Sequence, residues 1–168
     1  MLSKIWKRGL TVRKAVPSDS DFIIKCVKKM IQVIDGTKEL PIIEGIDESC
    51  HKIMQDPVHY PIFIAEKKEN NEIVKLGAAI SNTQILLAIG GPYLYVQEMY
   101  VDDKARGKGV GAALLNHVEK YAKENGYKMV ELTQPDASSK YHEERTKFYA
   151  RQGYNISGIS RSKEFIQI

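Results

Sequence analysis

Met99-Tyr100-Val101-Asp102-Asp103-Lys104-Ala105-Arg106-Gly107-Lys108-Gly109-Val110-Gly111-Ala112-Ala113-Leu114-Leu115 passes from a strand-like stretch through a glycine loop into a helix-like one. The residues leading into it, Tyr93 to Val101, are dense in aromatic and β-branched side chains and read as a strand. Beyond it, Val110, Leu114, Val118 and Tyr121 recur at helical spacing, and the stripe runs to Gly126, a suitable C-cap residue. Gly107, Gly109 and Gly111 stand at alternate positions, so they lack the Cβ atoms that keep a ligand off the backbone. They fall where the helix begins. Several N–H groups there have no intrahelical acceptor, and the helix dipole adds partial positive charge. Lys104, Arg106 and Lys108 add full charges. Such a loop suits a pyrophosphate.

The flanking sequence narrows the choice of pyrophosphate. No GxxxxGK[ST] is present, so the loop is not a Walker A, and Gly107, Gly109 and Gly111 give GxGxG rather than GxGxxG. The dinucleotide fingerprint belongs to the first turn of a parallel sheet. Here the loop comes after at least three strands that look hairpin-linked. Leu10 to Val16 alternates as a strand. Pro17-Ser18-Asp19-Ser20-Asp21 opens a helix whose apolar positions Ile23, Val27, Met30 and Ile34 lead to Asp35-Gly36. A charged loop, Thr37 to Ile46, precedes a shorter helix from Asp47 to Gln55, closed by Pro57. Tyr60 to Ala65 is apolar and β-rich. A polar hairpin, Lys67 to Asn71, connects it to a strand-like stretch from Ile73 to about Ile89, and Gly90-Gly91-Pro92 turns the chain. After the glycine loop and its helix come a strand over Tyr127–Thr133 and a helix over Tyr141–Gln152 that stops at Gly153. The tail, Tyr154 to Ile168, reads as two more strands. The expected order is β-α-α-β-β-β-α-β-α-β-β.

Bulk properties bound the function. The 168 residues, 43% hydrophobic and 27% charged, suit one domain, residues 1–168, with a sizeable core. The net charge of +4 is scattered rather than gathered in a basic stripe with interleaved aromatics, which speaks against nucleic acid as a partner. Met1 to Leu10 lacks the apolar core of a signal peptide, and no run approaches a membrane span. A cytoplasmic location with no membrane partner is therefore expected. Cys26 and Cys50 show no CxxC spacing and are expected to be reduced, mostly buried thiols. His51, His59, His117 and His142 show no ligand spacing, so no metal site is expected.

Arg106, Gly109 and Gly111, directly after a strand, together with the downstream Phe148-Tyr149-Ala150-Arg151-Gln152-Gly153-Tyr154, resemble the GNAT superfamily of acyl-CoA N-acyltransferases. The likeness extends over roughly Leu10 to Ile168. It implies an α/β (α+β-like) fold: a mixed, largely antiparallel sheet of six to seven strands, flanked by about four helices, with the fourth and fifth strands splayed. It implies acetyl-CoA as co-substrate, its pyrophosphate on Arg106, Gly107, Lys108, Gly109, Val110, Gly111 and Ala112. Met99, Tyr100 and Val101 would offer main-chain contacts to the pantetheine arm. Tyr149 matches the family's general acid, which protonates the leaving thiolate, and Phe148 reads as its packing neighbour. His142 stands where many members carry a cofactor-contacting asparagine.

The base is less directly given. Tyr95-Val96-Gln97-Glu98-Met99-Tyr100-Val101 resembles the fourth strand of diamine acetyltransferases, where two acids are adjacent, but Gln97 replaces the first. Successive strand residues face opposite ways. Glu98 is the candidate base, directly or through water, if a bulge re-aims it. No cysteine lies near the loop, so direct transfer in a ternary complex is expected rather than an acyl-enzyme. The acceptor implied is a primary amine of a small molecule or peptide. Asp35, Glu39, Glu44, Asp47 and Glu48 favour a cationic one, whereas Arg161 and Lys163 favour one with a carboxylate. A homodimer is compatible with the family. The alternative to an enzyme is a CoA-binding or sensor module on the same fold, kept open by Gln97 and His142.

Overall fold

A computed structural model describes residues 9–158 and 160–163. Strands β1 (Leu10–Lys14), β2 (Ile62–Glu69), β3 (Glu72–Leu86), β4 (Gly91–Val101) and β5 (Val130–Leu132) form one sheet in that order. The first three neighbouring pairs are antiparallel, and β4 with β5 is parallel. Helices α1 (Ser20–Asp35), α2 (Ile46–Met54), α3 (Val110–Glu124) and α4 (His142–Arg151) accompany it.

The sheet is covered on both faces, and the sequence shows why. β2 carries the unbroken apolar run Ile62-Phe63-Ile64-Ala65, all buried. Phe63 and Ala65 pack with Ala79, Leu94 and Val96 against Val110, Leu114 and Val118 of α3. Ile62 and Ile64 pack with Ala78 and Ile80 against Ile23 and Cys26 of α1 and Cys50 of α2. A strand that feeds two cores has no polar face, so it reads as a run rather than an alternation. Each such fully buried side chain is worth about 1.5–3 kcal/mol relative to exposure. Both cysteines are free and buried. Among the described residues no helix is long and apolar enough to cross a membrane.

Three expectations are corrected. β3 ends at Leu86, and Leu87–Ile89 form a 3-10 turn in which Leu87 is 90% exposed. Apolar composition there mimicked a longer strand. β5 spans three residues, not Tyr127–Thr133, because β4 stops pairing with it after Leu132. The tail residues 154–158 and 160–163 form no strand, so the described sheet has five strands instead of six or seven; residues 159 and 164–168 lie outside the described residues. Ile156 is 91% exposed and its neighbours 155, 157 and 158 are exposed too, so that stretch has no buried face to fix a register.

Candidate active site

β4 and β5 are joined by only three paired positions, Leu94 with Val130, Tyr95 with Glu131 and Val96 with Leu132. From Glu98 to Val101, β4 pairs with β3 alone, leaving an open edge where the two strands part. The separation begins at an irregularity. Ile80 lies opposite Glu98 while Ser81 lies opposite Val96, so Gln97 is an extra residue in β4. Such a bulge bends the strand and re-aims the side chains beyond it. Leu94 and Val96 face α3, and after the bulge Met99 and Val101 face it too. Glu98 and Tyr100 are thereby placed on the α1–α2 face, opposite Ile80 and Ala78.

The bulge also decides which backbone groups are available. The Asp102 N–H donates to the Leu76 carbonyl on the β3 side at 2.8 Å. By the alternation of an antiparallel ladder, Tyr100 also turns its amide towards β3, and Met99 and Val101 turn theirs to the open edge. Of the three residues expected to offer main-chain contacts, two present N–H and C=O groups at that edge. Tyr100 presents its side chain to the α1–α2 face, where burial and the nearby Asp103 and Asp102 push its phenol up to about 12.

Asp102 ends the strand by accepting from the Lys104 N–H at 3.0 Å, which starts the 3-10 turn Asp103–Ala105. Gly107 has φ +70° and Gly109, the N-cap of α3, φ +90°. Both lie in the left-handed region that side-chain-bearing residues rarely adopt. A glycine N-cap offers no side-chain oxygen, so the first N–H groups of α3 receive no side-chain cap. Val110 is buried in the core beneath the loop, which leaves its main chain for a ligand. Gly111 acts differently. A Cβ there would lie 3.1 Å from Phe148 Cζ, so the glycine lets α4 approach α3. Lys104 and Lys108 are exposed on the loop. An anionic, extended group fits a cradle of left-handed glycines, uncapped amides and cations beside an open strand edge. A cavity of about 240 Å3, lined by Leu10, Gly109, Ala112, Ala113 and Asn116, opens on the first turn of α3 and shares Gly109 and Ala112 with this cradle.

Arg106 is engaged within the loop. Its Nε donates to the Val101 carbonyl at 3.2 Å, its Nη2 pairs with Asp103 at 2.8 Å, and the guanidinium lies 5.7 Å from the Tyr100 ring centre and 5.9 Å from that of Tyr141. Tyr141 carries no signal in the sequence. It caps α4 at φ +64°, a conformation no sequence pattern announces for tyrosine, and it links the glycine loop to the α4 entrance. His142 comes next. Its Nδ1 lies 3.0 Å from the Asp136 carbonyl and 3.1 Å from Gln134 Nε2, so the ring pins the loop after β5 to the helix. Nδ1 finds a partner in either tautomer, donating to the carbonyl or accepting from the Gln134 amide, so Nε2 is the ring atom left for another partner.

The two candidate catalytic groups are both desolvated. Glu98 is half-buried with no hydrogen bond or ion pair to a described residue, and burial raises its carboxyl above the usual range. Tyr149 is half-buried between the rings of Phe148 and Tyr154, at 5.2 and 6.3 Å. Burial raises its phenol, with the Arg145 charge opposing. At neutral pH the phenol is protonated, the form that can donate to a leaving thiolate.

The chain matches a family model described as the acetyltransferase (GNAT) domain over residues 59–156. No curated protein matches. Among solved structures, a possible acetyltransferase from Clostridium difficile 630 has a TM-score of 0.74 at 14% identity, over 94% of this chain and 99% of that one. A ribosomal-protein-alanine N-acetyltransferase from Brucella melitensis biovar Abortus 2308 gives 0.69 at 18% identity, over 93% and 99%. AAC(6')-Iy in complex with a CoA-linked bisubstrate analogue gives 0.71 at 13% identity, over 94% and 99%. At these identities the likeness to each is one of fold. The family model, spanning more than half of the chain and taking in the open edge, the glycine loop and the Phe148-Tyr149 helix, shows that the chain belongs to the GNAT acetyltransferase family.

Proposed function

We propose that the protein transfers the acetyl group of acetyl-CoA directly to a primary amine of a small molecule or peptide. The observation that carries this reading is the bulge at Gln97, which sets a desolvated Glu98 beside the open β4 edge and just ahead of the anion-suited loop. Acetyl-CoA supplies the activated thioester. The amides of Gly109 to Ala112, with Lys104 and Lys108, bind the pyrophosphate. Met99 and Val101 pair with the pantetheine arm as a neighbouring strand would. Val110 and Gly111 act through their main chain, and His142 Nε2 faces the same arm from α4.

Acetyl transfer makes three demands: a neutral amine, a donor for charge growing on the thioester oxygen, and a proton for the leaving sulfur. A carboxylate with a raised pKa is a better base near neutral pH than an ordinary one, which supports Glu98 for the first. An open-edge N–H of β4 suits the second. Tyr149 suits the third. The structures of aminoglycoside and ribosomal-protein acetyltransferases on this fold support an amine acceptor without choosing among amines.

The test is thiol release from acetyl-CoA against a panel of primary amines, with Tyr149→Phe beside it. The variant is expected to keep its CoA affinity and to lose about 10²–10⁴-fold in kcat, the usual contribution of a general acid. Full activity in the variant would remove Tyr149 from this role. CoA binding with no thiol release for any amine would instead favour a CoA-sensing module.

A further inference from the structure

Past Ile80, β3 carries four successive polar residues, Ser81 to Gln84, of which Asn82 and Gln84 share the face of Ile80. Three of them are engaged. Ser81 donates to the Pro61 carbonyl at 2.5 Å, the Thr83 hydroxyl lies 2.7 Å from the Tyr127 hydroxyl, and Gln84 accepts from the Tyr93 hydroxyl at 2.6 Å. Asn82 differs: its Oδ1 is buried and has no hydrogen-bond partner. The opposite residue, Tyr95, gives it none, because the Tyr95 hydroxyl is paired with Thr133 at 2.5 Å. A buried carbonyl oxygen left unpaired costs free energy that folding alone does not recover.

Its position gives the orphan a meaning. The extra residue at the Ile80/Ser81 step belongs to β4, so Ile80 and Asn82 are two apart in β3 and leave the same face. Ile80 lies opposite Glu98 and Asn82 opposite Tyr95, so Asn82 stands one same-face position beyond the Ile80–Glu98 pair, across the bulge at Gln97. Glu98 also lacks a protein donor among the described residues. The charges of Asp47, Asp21 and Glu98 all bear on the Cys50 thiol in α2, so this end of the face is acidic as well as short of donors. An amide oxygen and a carboxylate on one face form a site for a group with several N–H bonds and a positive charge. A primary ammonium has both; a hydroxyl has one donor and no charge; a carboxylate has neither.

We infer that Asn82 is a specificity-determining residue for the acceptor: its Oδ1 and the Glu98 carboxylate together receive the acceptor's primary ammonium and hold it before deprotonation. The inference rests on the amine-transfer reading but is separable from it by experiment. Asn82→Leu keeps the size and removes the acceptor atom; Asn82→Asp keeps the acceptor. With 1,4-diaminobutane as amine, Asn82→Leu is expected to raise KM by about ten-fold or more, the weight of a hydrogen bond to a charged group. Its kcat is expected to stay within about three-fold, with CoA affinity and Tm unchanged. Asn82→Asp is expected to keep or lower KM. An unchanged KM in Asn82→Leu overturns the inference and assigns Oδ1 to a buried water. A joint loss of kcat, CoA affinity and Tm overturns it in favour of a structural role. Should wild-type protein turn over no amine, the reading of the activity fails, and calorimetry on CoA-loaded protein decides this point. Binding of 1,4-diaminobutane but not 1,4-butanediol, lost in Asn82→Leu, upholds it; equal binding by both proteins overturns it. If Asn82→Leu does not fold, weaker diamine binding by Asn82→Asp is the overturning result.

Discussion

Glu98 occupies the sheet in opposition to its own solvation: burial disfavours its charged form, and no cation among the described residues offsets that. Its raised pKa has two consequences of opposite sign. For activity, the deprotonated form is required, so kcat/KM rises with pH as Glu98 ionises, above the ordinary glutamate range. Glu98→Gln is expected to lose about 10²–10⁴-fold in kcat/KM and to flatten that acidic limb. For stability, the folded chain holds this proton more tightly than the unfolded chain. The contribution of Glu98 is therefore present at low pH and is lost as pH rises through the folded pKa. Glu98→Gln is then expected to raise Tm at pH 7 and not at pH 4, as read by thermal unfolding at the two values. A lower Tm at pH 7 would mean the carboxylate has a stabilising partner. The role of this residue was half legible in sequence. Leu94 and Val96 are in phase with each other, and Met99 and Val101 are one residue out of that phase, which is a bulge written as a slip in period. The orphaned Asn82 was not legible, because a missing hydrogen bond is a property of the packed sheet.

At the scale of elements, the glycine loop was legible because its meaning is local: left-handed turns, uncapped amides and cations come from residue types and spacing. Gly107 and Gly109 fulfil that with φ of +70° and +90°. Gly109→Val is expected to weaken CoA binding, since it imposes about 1–3 kcal/mol of backbone strain and a branched side chain on the cradle. Calorimetric titration with CoA reads the change, and an unaltered affinity would move the pyrophosphate elsewhere. Gly111 reads like the other two in sequence, yet it serves the contact between helices, which only the tertiary structure reveals. Its Cβ would press on the Phe148 ring at 3.1 Å. Gly111→Ala is expected to lose to the Phe148 ring at least the about 1 kcal/mol that alanine brings to a helix, with the loss returned by Gly111→Ala/Phe148→Leu. Denaturant titration of both variants measures it; additive losses would show that the two residues do not meet. The tail misleads for the complementary reason. Its residue types favour strand, but alternation specifies a strand only where a neighbouring face is buried, and Ile156 is exposed.

For the whole molecule, two cores share one sheet, and the chain entry into α1 is locked to β1 and β3 by a buried charge. Asp19, 1% exposed, receives Arg13 at 2.7 and 3.1 Å, Lys75 at 2.6 Å and the Val16 N–H at 2.9 Å. Burial alone would raise its carboxyl, but Arg13, Lys75 and the Val16 amide outweigh it and hold it well below the usual range. That stabilisation is complete above the ordinary carboxylate pKa and is lost as pH falls through the depressed one. Asp19→Ala is expected to destabilise the fold by about 1–3 kcal/mol, the weight of hydrogen bonds to charged partners, since Arg13 and Lys75 are partly exposed and Arg13 keeps Glu66 at 2.9 Å. kcat per folded molecule should not change. A wild-type denaturation midpoint in that variant would contradict this view of the entry. The layers and the order of elements were legible because apolar periodicity is imposed by the cores. The network was not, since Lys75 comes to Asp19 from a distant strand and burial of the carboxylate is a property of the packed fold.

The most direct measurement of the proposed activity is the amount of free CoA thiol released per acetylated amine, tracked together by thiol titration and mass spectrometry with a primary diamine. Equal amounts of thiol and monoacetylated diamine, abolished in Glu98→Gln and Tyr149→Phe while CoA still binds, are expected. Tight CoA binding without any acetylated amine, or thiol release that both variants retain, would contradict it.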